Sequence, residues 1–288
     1  MNSSLFKKSQ FKHLASILKC GVQDLEWVLK HIDYCYYEYE EYKRDKSGLV
    51  KTFKDGTPKK RIISPSYGKL KLIQSSIKRN ILDHYQMPSH VQGATKGRSN
   101  ISNAKLHQGK KFKFTTDLKD FFPSVTNDLV FHAFLKLGHS NHQASALARL
   151  TTYKFGLPQG APTSPHLSNL CFLEIDDKII ELCSDHQITF TRYIDDLTFS
   201  SDQDFKELVK PLLNIIIKAG FKVSYRKTFY KSNQTITGID VFNNFIDVPS
   251  HIKEKAKVEV ISRQELGPFN TYQNRVRQTN SNMKANPK

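Results

Sequence analysis

The sequence predicts an α+β fold, and two observations carry that prediction. Segments with apolar residues at helical spacing share the chain with short segments that alternate like strands. The two kinds are mixed without the strict strand–helix–strand alternation of a parallel sheet. At 288 residues, with 38% hydrophobic and 25% charged content, the chain has material for one large domain or two modest ones.

At the N-terminal end, Phe11, Leu14, Leu18, Leu25, Val28 and Leu29 recur at helical spacing and predict two short helices. Residues 34–48 read as strand-like, with Tyr37, Tyr39 and Glu41 on one parity and Glu38, Glu40 and Tyr42 on the other. That segment reads either as a packed edge strand or as a base-stacking surface. Asp55-Gly56 is a hairpin turn signal, followed by a strand over 60–64. Residues 67–82 form an amphipathic pattern with Leu70, Leu72, Ile73, Ile77 and Ile81 as its apolar positions.

From Phe112 a strand runs to Asp117. Helices are expected over 127–137, 143–152 and 165–182, and a hairpin over 188–200 centred on 194–196. A helix over 205–219 ends at Gly220, which supplies the backbone freedom of a C-cap. Short strands follow at 222–224 and 235–242. After Pro249 comes a basic helical segment, then a polar tail from Thr279 expected to be disordered.

Charge narrows the function. Lys and Arg number 44 against 27 Asp and Glu, a formal +17, which favours a polyanion through counterion release. An acidic protein or membrane surface is the alternative partner class. The densest apolar run, Leu212 to Ile217, is short and broken by Asn214, so no membrane span is expected. The N-terminal stretch lacks a sustained apolar core or small-residue cleavage site, which points to the cytoplasm. Cys20, Cys35, Cys171 and Cys183 form no CxxC pair and read as reduced thiols without a zinc site.

Asp117 closes an alternating strand, and Asp195-Asp196 lies at a hairpin tip. If the two elements are sheet neighbours, the carboxylates converge. Converging carboxylates repel and call for a cation, and oxygen-only ligands suit Mg²⁺. Two ions about 4 Å apart would stabilise both oxygens of an in-line phosphoryl displacement. The other reading is a type I′ turn at Asp195-Asp196 and a helix cap at Asp117.

RYIDDLTFS, together with TTDLKDFFPSV and GLPQGAPTSPHLSNL, closely resembles the reverse transcriptases over about 51–242, with the blocks in the family's order. The resemblance implies a right-hand polymerase: a helical N-terminal segment (1–50), fingers (51–112), a palm sheet carrying the aspartates (113–246, with a helical insertion near 126–155) and a small basic thumb (247–288). It implies Asp117, Asp195 and Asp196 as catalytic ligands of two Mg²⁺ ions, with Asp195 the firmer ligand. Phe122, five residues after Asp117, matches the aromatic gate against a 2′-hydroxyl. Gln159 and Gly160 match the segment beside the incoming nucleotide. Arg61 and Lys59 match the triphosphate-holding cations of the fingers, and Lys227 the lysine near the leaving pyrophosphate. At that last block the family often has Asn where this chain has Ser224.

Asn103-Ala104-Lys105-Leu106-His107 resembles the N-A-x-x-H signature of retron reverse transcriptases, on what reads as a loop. Ile236-Thr237-Gly238 resembles their V-T-G triplet, with Ile for Val. The retron resemblance implies RNA contacts at Asn103, His107, Thr237 and Gly238. It also implies a cognate structured RNA, dNTP substrates, cDNA primed from a guanosine 2′-hydroxyl to give branched msDNA, a separate effector protein and an anti-phage role. The alternatives are another bacterial reverse transcriptase (group II intron-like, diversity-generating or abortive-infection) and a non-catalytic RNA-binding scaffold.

Overall fold

The computed structural model describes residues 8–45, 47–263 and 266–281. Their elements run α1 (Lys8–Leu18), α2 (Val22–Lys30), β1 (Tyr39–Tyr42), β2 (Lys60–Ile63), α3 (Gly68–Asn80), α4 (Asn100–Lys105) and β3 (Phe112–Lys119). Next come α5 (Phe121–Ser124), α6 (Asn127–Lys136), α7 (Asn141–Thr151), α8 (Ser164–Asp185), β4 (Thr189–Tyr193) and β5 (Asp196–Ser201). Then follow α9 (Val209–Lys218), β6 (Lys222–Val223), β7 (Phe229–Lys231), β8 (Gln234–Ile236), β9 (Ile239–Val241), β10 (Ile246–Asp247), α10 (Ser250–Arg263) and α11 (Pro268–Ser281). The residues group into two compact units: those up to Met87 with Asp120–Glu174, and Pro88–Lys119 with Ile175 onward.

In the first unit, the apolar stripes that predict α1–α3 face inward. Leu14, Leu18, Leu25, Val28, Leu70, Ile73 and Ile77 are buried, whereas Leu72 is exposed on the opposite face of α3. Gln74 is buried among them and satisfied: it donates to the Tyr36 hydroxyl and the Leu150 carbonyl, both at 2.8 Å. Helices start where small polar residues cap them. Thr126 Oγ1 accepts from Leu129 N before α6, and Ser140 and Gln143 form a reciprocal box at the start of α7. β1 and β2 pair antiparallel from Tyr39 opposite Ile63 to Tyr42 opposite Lys60. Of the strand-like segment over 34–48, β1 takes only Tyr39–Tyr42; at its start Ile32–Cys35 winds into a 3₁₀ turn that buries Ile32 and Cys35.

In the second unit, β3 is central to a five-stranded antiparallel sheet ordered β4-β5-β3-β6, with β7 also pairing β3. β3 lies against β5 from Phe112 opposite Ser201 to Asp117 opposite Asp196. Phe114, Phe199 and Phe190 stack across the three strands at 5.4 and 4.9 Å between centroids. The strand expected to stop at Asp117 continues to Lys119, where β6 pairs it. A second sheet, β10-β9-β8, shares a core of Ile101, Ala104, Ile236, Ile239, Val241, Ile246, Val248 and Val276.

Three expectations change here. The single strand over 235–242 is a hairpin, β8–β9, because Thr237 (φ 46°) and Gly238 (φ 81°) take the left-handed backbone of a two-residue turn. The NAKLH segment begins in a helix, α4, started by a Ser99–Ser102 capping box. Thr279 to Ser281 belong to α11, and the rest of the polar tail lies outside the described residues.

Candidate active site

The three aspartates meet because of strand register. Asp117, buried on β3, stands directly opposite Asp196, the first residue of β5. Asp195 occupies the two-residue turn between β4 and β5, closed by the Tyr193–Asp196 pair. Backbone bonds fix both carriers: Leu118 N donates to the Asp195 carbonyl (2.9 Å), and Ser224 N donates to the Asp117 carbonyl (2.8 Å). The turn is not type I′, since of its two central residues only Ile194 has positive φ (60°). A β-branched residue in that conformation is strained, a cost found at functional sites held by their surroundings.

Electrostatics follow from the crowding. Burial, then the charges of Asp195 and Asp117, push the Asp196 carboxyl up to about 7, with Lys227 opposing. Lys227 Nζ donates to Asp117 Oδ2 at 2.5 Å. Burial works against the Lys227 charge, yet its bond to Asp117 and the three carboxylates raise its pKa. Among the described residues no three His, Cys, Asp or Glu side chains are drawn together tightly enough to cage a metal alone. The fit to Mg²⁺ lies in the hard oxygen donors and in the concentrated negative charge. Mg²⁺ is ordinarily held by one or two carboxylates together with substrate phosphates, and a closed cage is not required.

Of the nucleotide-binding candidates, Lys59, Arg61, Phe122, Gln159 and Gly160 belong to the first unit, and Lys227 to the second. Arg61, exposed on β2, pairs with Glu41 on β1, and Lys59 lies over the Phe53 ring at 5.2 Å. Ser64 N donates to the Gln159 carbonyl (2.8 Å), which ties the LPQG turn to the end of β2. Gly160 (φ 107°) packs so closely that a Cβ would lie 3.2 Å from Ile63 Cγ2. Leu157 N donates to the Phe122 carbonyl (3.2 Å), so the aromatic gate candidate adjoins the same turn. Phe121 beside it is buried and edge-on to Phe172.

The RNA-contact expectation for Asn103 and His107 is corrected by burial, since both are 0% exposed. The His107 ring bridges Ser200 Oγ and Thr191 Oγ1, each at 2.7 Å, cross-linking β5 and β4. Burial, and then the Lys113 charge, hold its pKa down to about 3, so the ring is neutral. Asn103 Nδ2 donates to Thr237 Oγ1 (3.3 Å), and Thr237 Oγ1 donates to the Asn100 carbonyl (3.3 Å). The Thr237 side chain is thus engaged within the protein, and Gly238 at the turn is exposed. Arg192, Asp176, His90 and Gly93 pack behind the Asp195 turn, and the one mark they leave in the sequence is an arginine inside the otherwise apolar and hydroxylic strand TFTRY.

Residues 45–261 match the family described as "Reverse transcriptase (RNA-dependent DNA polymerase)". The retron Ec86 reverse transcriptase of Escherichia coli is 36% identical over 232 residues, covering 78% of this chain and 69% of that one. The retron Se72 reverse transcriptase of Salmonella heidelberg is 28% identical over 77% of this chain, and the retron Mx162 reverse transcriptase of Myxococcus xanthus 33% over 65%. These two matches span only 56% and 41% of those relatives' own lengths. Among solved structures, the telomerase of Candida albicans matches with a TM-score of 0.49 and 11% identity, over 72% of this chain and 49% of that one.

Proposed function

The chain belongs to the reverse transcriptases, the RNA-dependent DNA polymerases, and among them to the retron type; on that premise we propose that it makes branched, RNA-linked cDNA (msDNA) from its own structured non-coding RNA. Asp117, Asp195 and Asp196 are its catalytic carboxylates and would hold two Mg²⁺ ions, with Asp195 the firmer ligand and Asp196 in support. Bound Mg²⁺ supplies charge neutralisation for the attacking and leaving oxygens of an in-line displacement at phosphorus. The attacking group is first the 2′-hydroxyl of a guanosine in the RNA and then each new 3′-hydroxyl, and pyrophosphate leaves.

The chain's own side chains orient these groups. Arg61, whose planar guanidinium suits phosphate, and Lys59 grip the triphosphate. Phe122 leaves no room for a 2′-hydroxyl on the incoming nucleotide, Gln159 and Gly160 flank its base, and Lys227 steadies Asp117 and the departing pyrophosphate. Asn103 holds the Thr237-Gly238 turn, His107 ties the end of that segment to β4 and β5, and Gly238 faces the RNA. Residues 51–112 serve as fingers, 113–246 as palm and 247–288 as thumb. The chain works in the cytoplasm with a separate effector in anti-phage defence; no helix among the described residues is long and apolar enough to cross a membrane.

The observation that carries this reading is the register that sets Asp117 opposite Asp196, with Asp195 in the adjoining turn. A non-catalytic scaffold has no use for such mutual repulsion. The purified chain, its neighbouring RNA, dNTPs and Mg²⁺ should give DNA joined to RNA through a 2′–5′ bond that a debranching enzyme cleaves. DNA made without that bond would favour a group II intron-like, diversity-generating or abortive-infection enzyme.

A further inference from the structure

Behind the Asp195 turn lies a buried ion pair with a histidine at its edge. The side chains of Arg192 on β4 and Asp176 on α8 are both 0% exposed. Arg192 Nε donates to Asp176 Oδ1 (2.9 Å) and Oδ2 (3.1 Å), and Nη2 donates to Oδ2 (2.7 Å). His90 Nε2 lies 3.1 Å from the same Oδ2, with its ring against Phe190. The fork has one more arm: Nη1 donates to the Ile194 carbonyl at 3.3 Å. That carbonyl belongs to the peptide that leads into Asp195.

The backbone of the His90 segment clamps the same strand. Arg192 N donates to the His90 carbonyl (2.9 Å), and Gln92 N donates to the Arg192 carbonyl (2.8 Å). Gly93 then lies directly beneath the turn. A Cβ there would sit 2.7 Å from Ile194 N, 2.8 Å from Ile194 Cγ1 and 3.0 Å from the Tyr193 carbonyl carbon. The strained φ of Ile194 is therefore enclosed on the face toward Gly93 and tethered at its carbonyl. Asp195 has both adjoining peptides fixed, one by Arg192 and the other by Leu118 N.

We infer that Arg192, with Asp176, His90 and Gly93, is a positioning device that sets the orientation of Asp195. This rests on the reading of Asp195 as a catalytic metal ligand. Breaking a buried ion pair also destabilises a fold, so the test uses two gentler changes. Arg192→Lys keeps the charge against Asp176 and removes the arm that reaches the Ile194 carbonyl. Gly93→Ala leaves the ion pair intact and presses a methyl group on the turn.

Both variants are compared with the unaltered protein by circular dichroism, thermal unfolding, steady-state primer extension across a Mg²⁺ series, and Mn²⁺ binding followed by electron paramagnetic resonance. The expected result is a native spectrum and a kcat lower by about 10-fold or more, with the dNTP KM changed less than about 3-fold. Half-saturating Mg²⁺ and the Mn²⁺ Kd should rise by about 10-fold, the scale on which groups that orient metal ligands act. Folded variants with unchanged kcat and unchanged metal affinity overturn the inference. So does loss of the folded state in both variants, which would make the cluster a folding element. Mn²⁺ binding needs no turnover. An unaltered protein that incorporates no dNTP, while both variants lose Mn²⁺ affinity, would keep the positioning role and sink the polymerase reading.

Discussion

Asp196 sits partly buried beside two other carboxylates, and its titration has a sign that can be measured. Its native carboxyl holds a proton up to about 7, against an ordinary value of 3.8. Between those values the native state binds more protons than the unfolded state, so metal-free stability falls as pH rises through that window. Thermal unfolding in a chelator should show a melting temperature that drops between about pH 4 and about pH 7. Asp196→Asn should flatten that drop, while stabilisation of the unaltered protein by Mg²⁺ should grow with pH, because Mg²⁺ takes the ionised form. Arg61 gives a second test at this scale. Its exposed pairing with Glu41 is the kind worth about 0.2–1 kcal/mol. Arg61→Ala should raise the dNTP KM by about 10-fold with a smaller change in kcat. Glu41→Gln should lower that KM by about 2-fold, the scale of releasing a surface ion pair.

At the scale of elements, the α4 segment and the β8–β9 turn form one joint. His107 ties it to β4 and β5, and Asn103 ties it to Thr237. His107→Ala leaves two buried hydroxyls without their ring partner, at about 1–3 kcal/mol each. Urea denaturation should report a loss of that order. Priming on the cognate RNA and extension of an ordinary annealed DNA primer should fall together, in step with the folded fraction. A selective loss of RNA priming would restore direct contact with RNA.

The same elements show what a sequence reveals. α1–α3 were legible because Leu14, Leu18, Leu25, Ile73 and Ile77 bury one stripe each. The β4–β5 hairpin was legible from its alternation and its polar tip. α4 was not, since six residues carry too little periodicity, and its one signal was the capping pair Ser99 and Ser102. The β8–β9 turn was hidden because QTITGIDV keeps a strand-like run of Ile, Thr and Val across the positive-φ pair. The cluster under Asp195 was hidden for another reason. A buried Arg192 makes sense only beside Asp176, which another element brings to it.

For the whole molecule, the +17 formal charge sets how it meets RNA. Binding through six or more phosphates should weaken by about a thousandfold between about 50 and about 200 mM salt. Filter binding across that range tests it, and a flat response would point to an acidic protein partner instead. The catalytic role proposed for Asp117, Asp195 and Asp196 is tested most directly by extension of a labelled DNA primer on an RNA template, with dNTPs and Mg²⁺, by the unaltered protein and by Asp195→Asn. Full-length cDNA is expected from the former and a loss of about a thousandfold or more in the latter. Equal product from both would remove these aspartates from catalysis.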